Sequence, residues 1–315
     1  MRIFLLLGLI CLYLQANGHI LVYHRFNDLR HSSTDTSSKE LVKQFEYLKN
    51  NHYKVVKLSA IYEKIKNKQN VPDSWVALTI DDNFKSFYSN GLKIFKKYHY
   101  PFTLYVYIES AQRHFGDYMT WKQIKEASKY GTIALHSYAH PRLPLLNSKK
   151  IYNDTKKSYD LFVKNLGFKP KSYAYPYGEY DNRVRNIIEK FNFDMIVNQS
   201  NGSVNKNSDL HCLNRIAMVG KVNIKQKLKY TSLKAKWIYP KAFPQDKILK
   251  RLKVKVFTKE KNLKLYITGY PWKDIKAKNG IIDLKLNLRL KHSKTRIIIG
   301  TSYYNIADKI IIKDK

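Results

Sequence analysis

Short apolar runs alternate with amphipathic stretches between residues 19 and 220. The runs at 75–80 (WVALTI) and 102–108 (FTLYVYI) have the length and composition of buried strands. The stretches at 39–50 and 148–166 carry apolar residues at helical spacing. Because parallel strands need a crossover between them, repeated strand–helix units predict an α/β fold with a largely parallel sheet or barrel. Functional groups in such folds gather at the carboxyl ends of the strands.

The pattern changes after about residue 220, where apolar and polar residues alternate strictly. Residues 252–256 (LKVKV) and 284–290 (LKLNLRL) follow a period of two, which is typical of strands with one buried face. We therefore expect a domain over residues 19–220, followed by a small all-β, sandwich-like domain over residues 221–315.

The charge of the chain is unevenly distributed. Its 315 residues include 58 Lys and Arg against 24 Asp and Glu, a formal net charge of +34. Residues 221–315 hold 26 of the basic and 6 of the acidic residues, a net charge of +20. On charge alone, the partners are anionic: a phosphate-bearing cell envelope, an acidic glycan or nucleic acid.

The first eighteen residues predict the compartment. Arg2 precedes an apolar run over residues 3–14, and the small residues Ala16 and Gly18 follow. This arrangement is typical of a signal peptide over residues 1–18, cleaved before His19, with a buried N-terminal helix or strand as the alternative. We therefore expect an exported protein, periplasmic, at the cell surface or secreted, which argues against nucleic acid as a partner.

Two classes of structure are excluded by the rest of the chain. No apolar run reaches the roughly 18–20 residues that a membrane-spanning helix needs. After removal of the signal peptide, Cys212 is the only cysteine. An intramolecular disulfide and a cysteine-based metal cluster are then impossible.

The first polar cluster is Asp81-Asp82-Asn83, directly after the predicted strand 75–80. Two adjacent carboxylates at a strand end can divide two tasks, because one can bind a cation while the other remains free as a base. The same tripeptide is also ordinary turn composition, so the cluster alone is weak evidence.

The second cluster contains His136 and His140, after the predicted strand 132–135. Two imidazoles four residues apart can converge on one ion, and one Asp completes three ligands with coordination positions left open. A pair of surface or core histidines is the alternative. The third cluster, residues 173–179 (YAYPYGE), predicts a turn whose aromatics could line a sugar groove and whose N–H could meet an oxyanion.

Taken together and in this order, the three clusters resemble the motifs of the polysaccharide deacetylase family, also called the NodB-homology domain or carbohydrate esterase family four. Residues 79–83 (TIDDN) are similar to its Thr-Phe-Asp-Asp-Gly, with two departures. His136, Ser137 and His140 match its His-Ser/Thr-x-x-His motif. Residues 174–177 (AYPY) resemble its Arg-x-Pro-Tyr motif, with Ala in place of Arg.

The resemblance covers roughly residues 20–220 and implies a distorted (β/α) barrel. The sequence resembles a circularly permuted branch of the family, the deacetylases of poly-β-1,6-N-acetylglucosamine. The third motif of that branch also tends to lack the arginine. In that branch the opening strand ends in Tyr-His, as residues 20–24 (ILVYH) do here. His24 is then implied as the general acid, with His211 as the rival, and Arg215 is the candidate to replace the missing arginine.

The chemistry implied by the resemblance is metal-assisted hydrolysis of the acetamide groups of an N-acetylated polysaccharide. Asp82, His136 and His140 are the implied ligands of a divalent ion. Zn²⁺ is the expected ion, although the same donors suit other first-row metals.

The other implied roles belong to residues around this metal site. Asp81 is the implied general base, and Arg215 would orient it and keep it ionised. The backbone N–H of Tyr177 would help to hold the oxyanion. We expect substrate contacts from the aromatic and turn residues beside the motifs, namely Tyr138, Tyr175 and Pro176.

Several alternatives remain open. Peptidoglycan, chitin oligosaccharides or an acetylated capsule could be the substrate, because the motifs describe acetamide chemistry and not the glycosidic linkage. An inactive glycan-binding protein on the same fold is a second class, although the complete set of motif residues argues against it. An exported nucleic-acid or lipid-phosphate binder rests on charge alone. We expect the basic C-terminal domain to dock on an anionic envelope surface.

Overall fold

A computed structural model describes residues 17–313. The predicted signal peptide lies outside the described residues, apart from Asn17 and Gly18. Strands and helices alternate in the first part of the chain, which we call the α/β domain (residues 17–230): β1 (His19–Tyr23), β2 (Arg25–Phe26), β3 (Asp35–Thr36), α1 (Ser38–Asn50), β4 (Lys54–Val55), α2 (Leu58–Lys66), β5 (Trp75–Asp81), α3 (Leu92–Lys97), β6 (Phe102–Val106), α4 (Ile108–Gln112), α5 (Trp121–Ala127), β7 (Thr132–Leu135), α6 (Ser148–Leu166), β8 (Ser172–Ala174), α7 (Asn182–Ile188), β9 (Met195–Val197), β10 (Ile216–Ala217) and α8 (Ile224–Lys227). Short 3₁₀ turns occur at Leu29–His31, Leu143–Leu145, Pro176–Gly178 and Glu189–Phe191, and a π turn at Phe87–Gly91.

Eight strands of this domain form one sheet in the order β10–β1–β5–β6–β7–β8–β9, with β4 also paired to β5. Every pairing in it is parallel. The predicted α/β fold with a parallel, barrel-like sheet is confirmed. Since all eight strands run the same way, their carboxyl ends meet at one edge, where ligand sites of such sheets form.

Apolar side chains cover both faces of the sheet. Successive strand residues point to opposite faces, so Ala77 and Leu78 of β5 enter two different buried clusters. All five residues of β1 and of β6 are buried. A strand covered on both faces reads as a continuous apolar run, which is why these strands were visible in the sequence.

Two of the predicted elements differ in extent. Residues 84–98, whose apolar spacing after the strand 75–80 predicts one helix, form a π turn followed by α3, and a Cβ at Gly91 would lie only 2.9 Å from the Phe26 ring. The strand predicted at 102–108 ends at Val106, because α4 begins at Ile108. The helix predicted at 148–166 is confirmed.

The second part of the chain, the β domain (residues 231–313), is built from strands alone: β11 (Thr231–Ser232), β12 (Ala235–Tyr239), β13 (Ile248–Val256), β14 (Asn262–Ile267), β15 (Lys273–Lys276), β16 (Ile281–Arg289), β17 (Lys294–Gly300) and β18 (Asn305–Ile312). They form two sheets, β11–β18–β17–β14–β15 and β12–β13–β16, which pack around a shared apolar core. The predicted all-β region is confirmed. In the described part of the chain, no helix is long and apolar enough to cross a membrane.

The two domains share a border near residue 230. The sequence predicts a border at 220, but Ile224 and Leu228 pack into the core of the α/β domain. The core of the β domain begins with Leu233. The β domain therefore lies directly on the α/β domain, without a linker of its own.

Candidate active site

The carboxyl edge of the parallel sheet carries the polar residues that the sequence singled out. Asp81 is the last residue of β5, His136 follows β7, and the turn around Tyr177 follows β8. His24 comes directly after β1, whereas Arg215 precedes β10 and reaches Asp81 with its side chain. Segments far apart in the sequence thus reach one site because their strands are neighbours in the sheet.

The backbone is left-handed at Asp82 and Asn83, directly after Asp81. Asp82 has φ of +72° and Asn83 has φ of +44°, a region in which Asn and Asp are tolerated. The Asn83 side-chain oxygen accepts a hydrogen bond from the Tyr107 N–H (2.8 Å), and its amide donates to the Ser110 hydroxyl (3.1 Å). Asn83 therefore forms the turn and also ties it to α4.

Three side chains converge at this turn. The Oδ1 atom of Asp82 lies 3.1 Å from Nε2 of His140 and 3.4 Å from Nε2 of His136. The two Nε2 atoms are 3.2 Å apart. All three donor atoms lie within 4.8 Å of one another, which is a spacing that one metal ion could bridge.

Two further observations fit a metal ion. His136 directs its Nδ1 at the Ala174 carbonyl (2.8 Å), so Nδ1–H donates and the Nε2 lone pair faces Asp82. Oδ1 of Asp82 is buried and has no hydrogen-bond partner among the described residues. A buried carboxylate oxygen without a donor is rare in proteins unless an ion satisfies it. The two imidazoles and one carboxylate suit Zn²⁺ and other first-row metals.

A residue of α6 fixes the loop that carries His140. The Asp154 carboxylate accepts hydrogen bonds from the N–H groups of Tyr138 (3.0 Å) and Ala139 (2.9 Å). The Ser137 hydroxyl accepts one from the His140 N–H (3.0 Å). Burial raises the pKa of Asp154. Sequence reasoning missed Asp154, which is one polar residue on the predicted helix and carries no motif.

Asp81 lies beside this cluster and has a different partner. Its two oxygens accept hydrogen bonds of 2.7 and 2.8 Å from the Arg215 guanidinium, and both side chains are fully buried. Arg215 also donates to the Asn198 carbonyl (2.8 Å) and to the Thr79 hydroxyl (3.2 Å). Burial alone would raise the pKa of Asp81, but the charge and hydrogen bonds of Arg215 act against burial, and the pKa lies below its ordinary value. Asp81 is therefore an ionised carboxylate.

Gln199 connects His24 to Asp81. Its side-chain amide nitrogen lies 3.3 Å from an Asp81 oxygen and 3.5 Å from Nε2 of His24. Burial lowers the pKa of His24, although Asp81 and Asp82 act in the opposite direction. Gln199 has no motif of its own, and the sequence analysis missed it.

His211, the rival for the acid role, belongs to another cluster. Its Nδ1 lies 3.0 Å from a Glu189 oxygen, and its N–H donates to Asp209. The imidazole is 38% exposed. The structure brings His24, and not His211, to the residues around Asp81.

Two of the predicted substrate contacts are wrong. Tyr175 is fully buried, and its ring stacks on Tyr180 with a centroid distance of 4.8 Å. Pro176 is buried as well. Both side chains pack against protein, and Tyr177 is the first residue after β8 that is partly exposed. Tyr138 is half-buried beneath the Lys157 ammonium, 3.6 Å from its ring centroid, and its contact with substrate stays a prediction.

Half-buried aromatic rings lie next to the candidate metal site. The Tyr177 ring lies 4.4 Å from the His140 ring, and the Tyr107 ring lies 5.6 Å from it on another side. Tyr118 packs 5.6 Å from Tyr107. Burial, with the nearby Asp82 charge, raises the pKa of Tyr118 to about 12, so this phenol keeps its proton. Such rings offer flat apolar faces and hydroxyls, both of which suit sugars.

The Tyr177 turn is possible only with glycine beside it. Tyr177 has φ of +59° and Gly178 has φ of +69°. A Cβ at Gly178 would lie 2.5 Å from the backbone nitrogen of Gln199. The turn therefore packs directly against the segment that carries Gln199.

A family model matches the middle of the chain. Residues 68–196 match the model for polysaccharide deacetylase. This segment contains Asp81 and all three residues of the candidate metal site. It begins after His24 and ends before Arg215, the two residues that the sheet brings in from outside it.

Named relatives cover a similar part of the chain. The poly-β-1,6-N-acetyl-D-glucosamine N-deacetylase of Staphylococcus aureus MRSA252 is 26% identical over 214 residues, which cover 64% of this chain and 72% of that protein. The protein of the same name from Escherichia coli K12 is 23% identical over 242 residues, which cover 63% of this chain. The match spans only 35% of the Escherichia coli protein.

A solved structure shares the fold. The Streptococcus pyogenes deacetylase PplD, in complex with acetate, superposes with a TM-score of 0.62 at 23% identity. The match covers 68% of this chain and 99% of that one. Fold, family model and curated relatives agree. Residues 68–196 thus form a polysaccharide deacetylase domain, a domain of hydrolases that act on the amide bonds of acetylated sugars.

Proposed function

We propose that this protein is an exported, metal-dependent polysaccharide N-deacetylase that acts on poly-β-1,6-N-acetylglucosamine. The observation that carries the proposal is that two adjacent carboxylates have different partners. Asp82 faces two imidazoles, whereas Asp81 is held by Arg215. An amide hydrolase of this kind needs one carboxylate to bind a metal and another to act as a base.

Asp82, His136 and His140 would hold the metal ion, with Zn²⁺ as the expected species. Bound there, the ion would polarise the acetyl carbonyl and lower the pKa of water, which is about 15.7 in bulk. The orphaned Oδ1 of Asp82 supports this assignment.

The chain's own residues would move the protons. Asp81 accepts a proton from the attacking water, and Arg215 keeps Asp81 ionised and fixes its plane. His24, in its imidazolium form, gives a proton to the departing sugar amine, so that the C–N bond breaks to free amine and acetate. The proton held by Asp81 is then released to solvent, and His24 takes up a new proton from solvent. The Tyr177 backbone N–H donates to the oxyanion of the tetrahedral intermediate. Its left-handed turn beside His140 supports this role.

The glycan assignment rests on the named relatives and on the strand order. Two relatives are named as deacetylases of poly-β-1,6-N-acetyl-D-glucosamine. The first strand of this chain carries His24 into the site, as the permuted branch requires. Tyr107, Tyr118 and Tyr177 would stack on sugar rings next to the acetamide.

The β domain would dock the enzyme on an anionic envelope surface. The sheet β12–β13–β16 exposes basic residues on its outer face, among them Lys236, Lys255 and Lys285. Replacement of these three lysines by glutamate should weaken sedimentation with envelope fragments and leave hydrolysis of soluble oligomers unchanged. Equal sedimentation of the two proteins would remove the docking role.

The central experiment measures acetate release from poly-β-1,6-N-acetylglucosamine and from peptidoglycan. We expect release from the first glycan, loss of release after treatment with a chelator, and recovery when Zn²⁺ is added. Preferential release from peptidoglycan would replace the glycan assignment. No release from either, together with no bound metal, would favour a glycan-binding protein.

A further inference from the structure

We propose that two cations of the β domain, Lys294 and Arg296, are positioning residues of the deacetylase centre. They hold the two backbone segments that border the centre, the Tyr177 turn and the Gln199 segment. The proposal rests on the proposed function, and it assigns the β domain a part in catalysis besides any role in docking.

Strand geometry sends both cations in the same direction. Lys294 and Arg296 lie two residues apart on β17, so their side chains leave the same face of the strand. Thr295 and Ile297, on the opposite face, are fully buried. The cations therefore point away from the core of the β domain and towards the α/β domain.

Lys294 holds the Tyr177 turn. Its ammonium donates to the Tyr177 carbonyl (3.2 Å) and lies 3.3 Å from a Glu179 oxygen. Glu179 is only 1% exposed and also pairs with Arg142 (2.6 Å). The Arg142 guanidinium lies 4.7 Å from the centroid of the Tyr177 ring. Backbone and ring of Tyr177 are thus held by cations from two domains.

Arg296 holds the Gln199 segment. Its guanidinium donates to the Gln199 carbonyl (3.2 Å) and pairs with the buried carboxylate of Asp308. The same carboxylate accepts a hydrogen bond from the Asn201 N–H (3.2 Å). Two groups of the β domain therefore fix the backbone directly after the Gln199 side chain, which contacts Asp81 and His24.

The two held segments also touch each other. Gly178 approaches the Gln199 backbone so closely that a Cβ would lie 2.5 Å from its nitrogen. A shift of either segment therefore moves the other. Since misplacement of a reacting group by about 1 Å can cost about a hundredfold in rate, release of either cation should reduce turnover.

Other ion pairs of the β domain provide matched controls. Arg251 pairs with Asp283 through two hydrogen bonds, and Lys264 pairs with Asp274. Both pairs join two strands within the β domain. Loss of these cations removes the same charge and similar packing without touching the α/β domain.

The experiment compares Lys294→Met and Arg296→Met with Arg251→Met and Lys264→Met in the full-length protein. Kinetics on soluble acetylated oligomers should show kcat reduced about tenfold or more in the first two variants, with KM changed less than about twofold. Metal content should be unchanged. Lys294→Arg should retain most of the wild-type kcat, because it keeps the charge and a donor.

A second measurement does not depend on activity. Hydrogen exchange followed by mass spectrometry should show faster exchange over residues 175–179 in Lys294→Met and over residues 198–201 in Arg296→Met. Wild-type exchange in both segments, or wild-type kcat, would overturn the proposal. So would an equal loss of kcat in the two control variants. If the wild type releases no acetate from any glycan, the proposed function fails, while the exchange data still decide whether these cations position the segments.

Discussion

The guanidinium of Arg215 and the carboxylate of Asp81 meet through two hydrogen bonds of 2.7 and 2.8 Å, with neither side chain exposed. The two residues are 134 positions apart in the chain. The sheet brings them together, because β5 and β10 lie on either side of β1. The pair gives the site a buried, oriented anion next to the candidate metal site.

Arg215→Met should therefore damage both stability and turnover. Removal of one partner leaves Asp81 as an uncompensated buried charge, which costs about 3–5 kcal/mol of unfolding free energy. Arg215→Lys retains a charge but loses the two-pronged geometry, so it should recover stability more than kcat. Urea denaturation and acetate release measure the two effects. Wild-type kcat in Arg215→Met would show that Asp81 needs no orientation.

Asp81→Asn should abolish turnover but spare metal binding. The amide cannot accept the proton from water, so we expect kcat to fall by about 10²–10⁴. The three metal ligands stay intact, and the metal content of the purified variant should match that of the wild type. Undiminished acetate release would remove Asp81 as the base.

Zn²⁺ should stabilise the wild type and not Asp82→Ala. A ligand present at a hundred times its Kd stabilises the folded state by about 2.7 kcal/mol, which is a measurable rise in Tm. His140→Ala should lose the rise as well, because the three donors act as one site. His211→Ala, outside the site, should keep it. An unchanged rise in Asp82→Ala would place the ion elsewhere.

His24→Ala should reduce kcat by about 10²–10⁴, as expected for a lost general acid. His211→Ala should leave kcat within twofold of the wild type, since its imidazole pairs with Glu189. The opposite pattern would transfer the acid role to His211 and remove the argument from the permuted strand order. Acetate release from a soluble oligomer under saturating conditions distinguishes the two outcomes.

Acid should destabilise the fold in part through Asp28. A hydrogen bond from Arg30, supported by Arg25, lowers the pKa of Asp28 to about 2. Because this pKa lies below the value of about 3.9 in unfolded chains, the ionised group stabilises the fold above about pH 4, and the contribution is lost as the pH falls towards 2. Asp28→Asn should flatten the decline of Tm between about pH 4 and pH 2.

Asp160→Asn serves as the control for this titration. Asp160 forms an exposed pair with Lys156 on α6, and such pairs contribute little to stability. Its Tm profile should follow that of the wild type. A profile of Asp28→Asn that also follows the wild type would show that Arg30 and Arg25 contribute nothing through this carboxylate.

The residues with chemistry of their own could be predicted from the sequence. Asp81, Asp82, His136 and His140 follow apolar strands directly, and parallel strands bring their carboxyl ends together. The resemblance to a known family added His24 and Arg215, which lie far from these residues in the sequence. Local pattern alone would have left them as a strand-end histidine and a basic loop residue.

The supporting residues could not be predicted, because tertiary contacts give them their roles. Gln199, Asp154 and Lys294 belong to no motif, and each acts on backbone or side chains far away in the chain. The error at Tyr175 has a related cause. Alternating tyrosines do not reveal which rings face the core, and the left-handed backbone at Tyr177 decides which ring emerges.

The parallel pairing of β11 with β18 also bears on how the protein is made. Thr231, the first residue of the β domain, pairs with Asn305 of β18. The same late strand supplies Asp308, the partner of Arg296. Since ribosomes build chains from the amino terminus, the support of the Gln199 segment emerges after every residue of the catalytic centre. A chain that ends before β18 therefore holds every residue of the candidate site but lacks Asp308, the partner of Arg296 and of the Asn201 N–H.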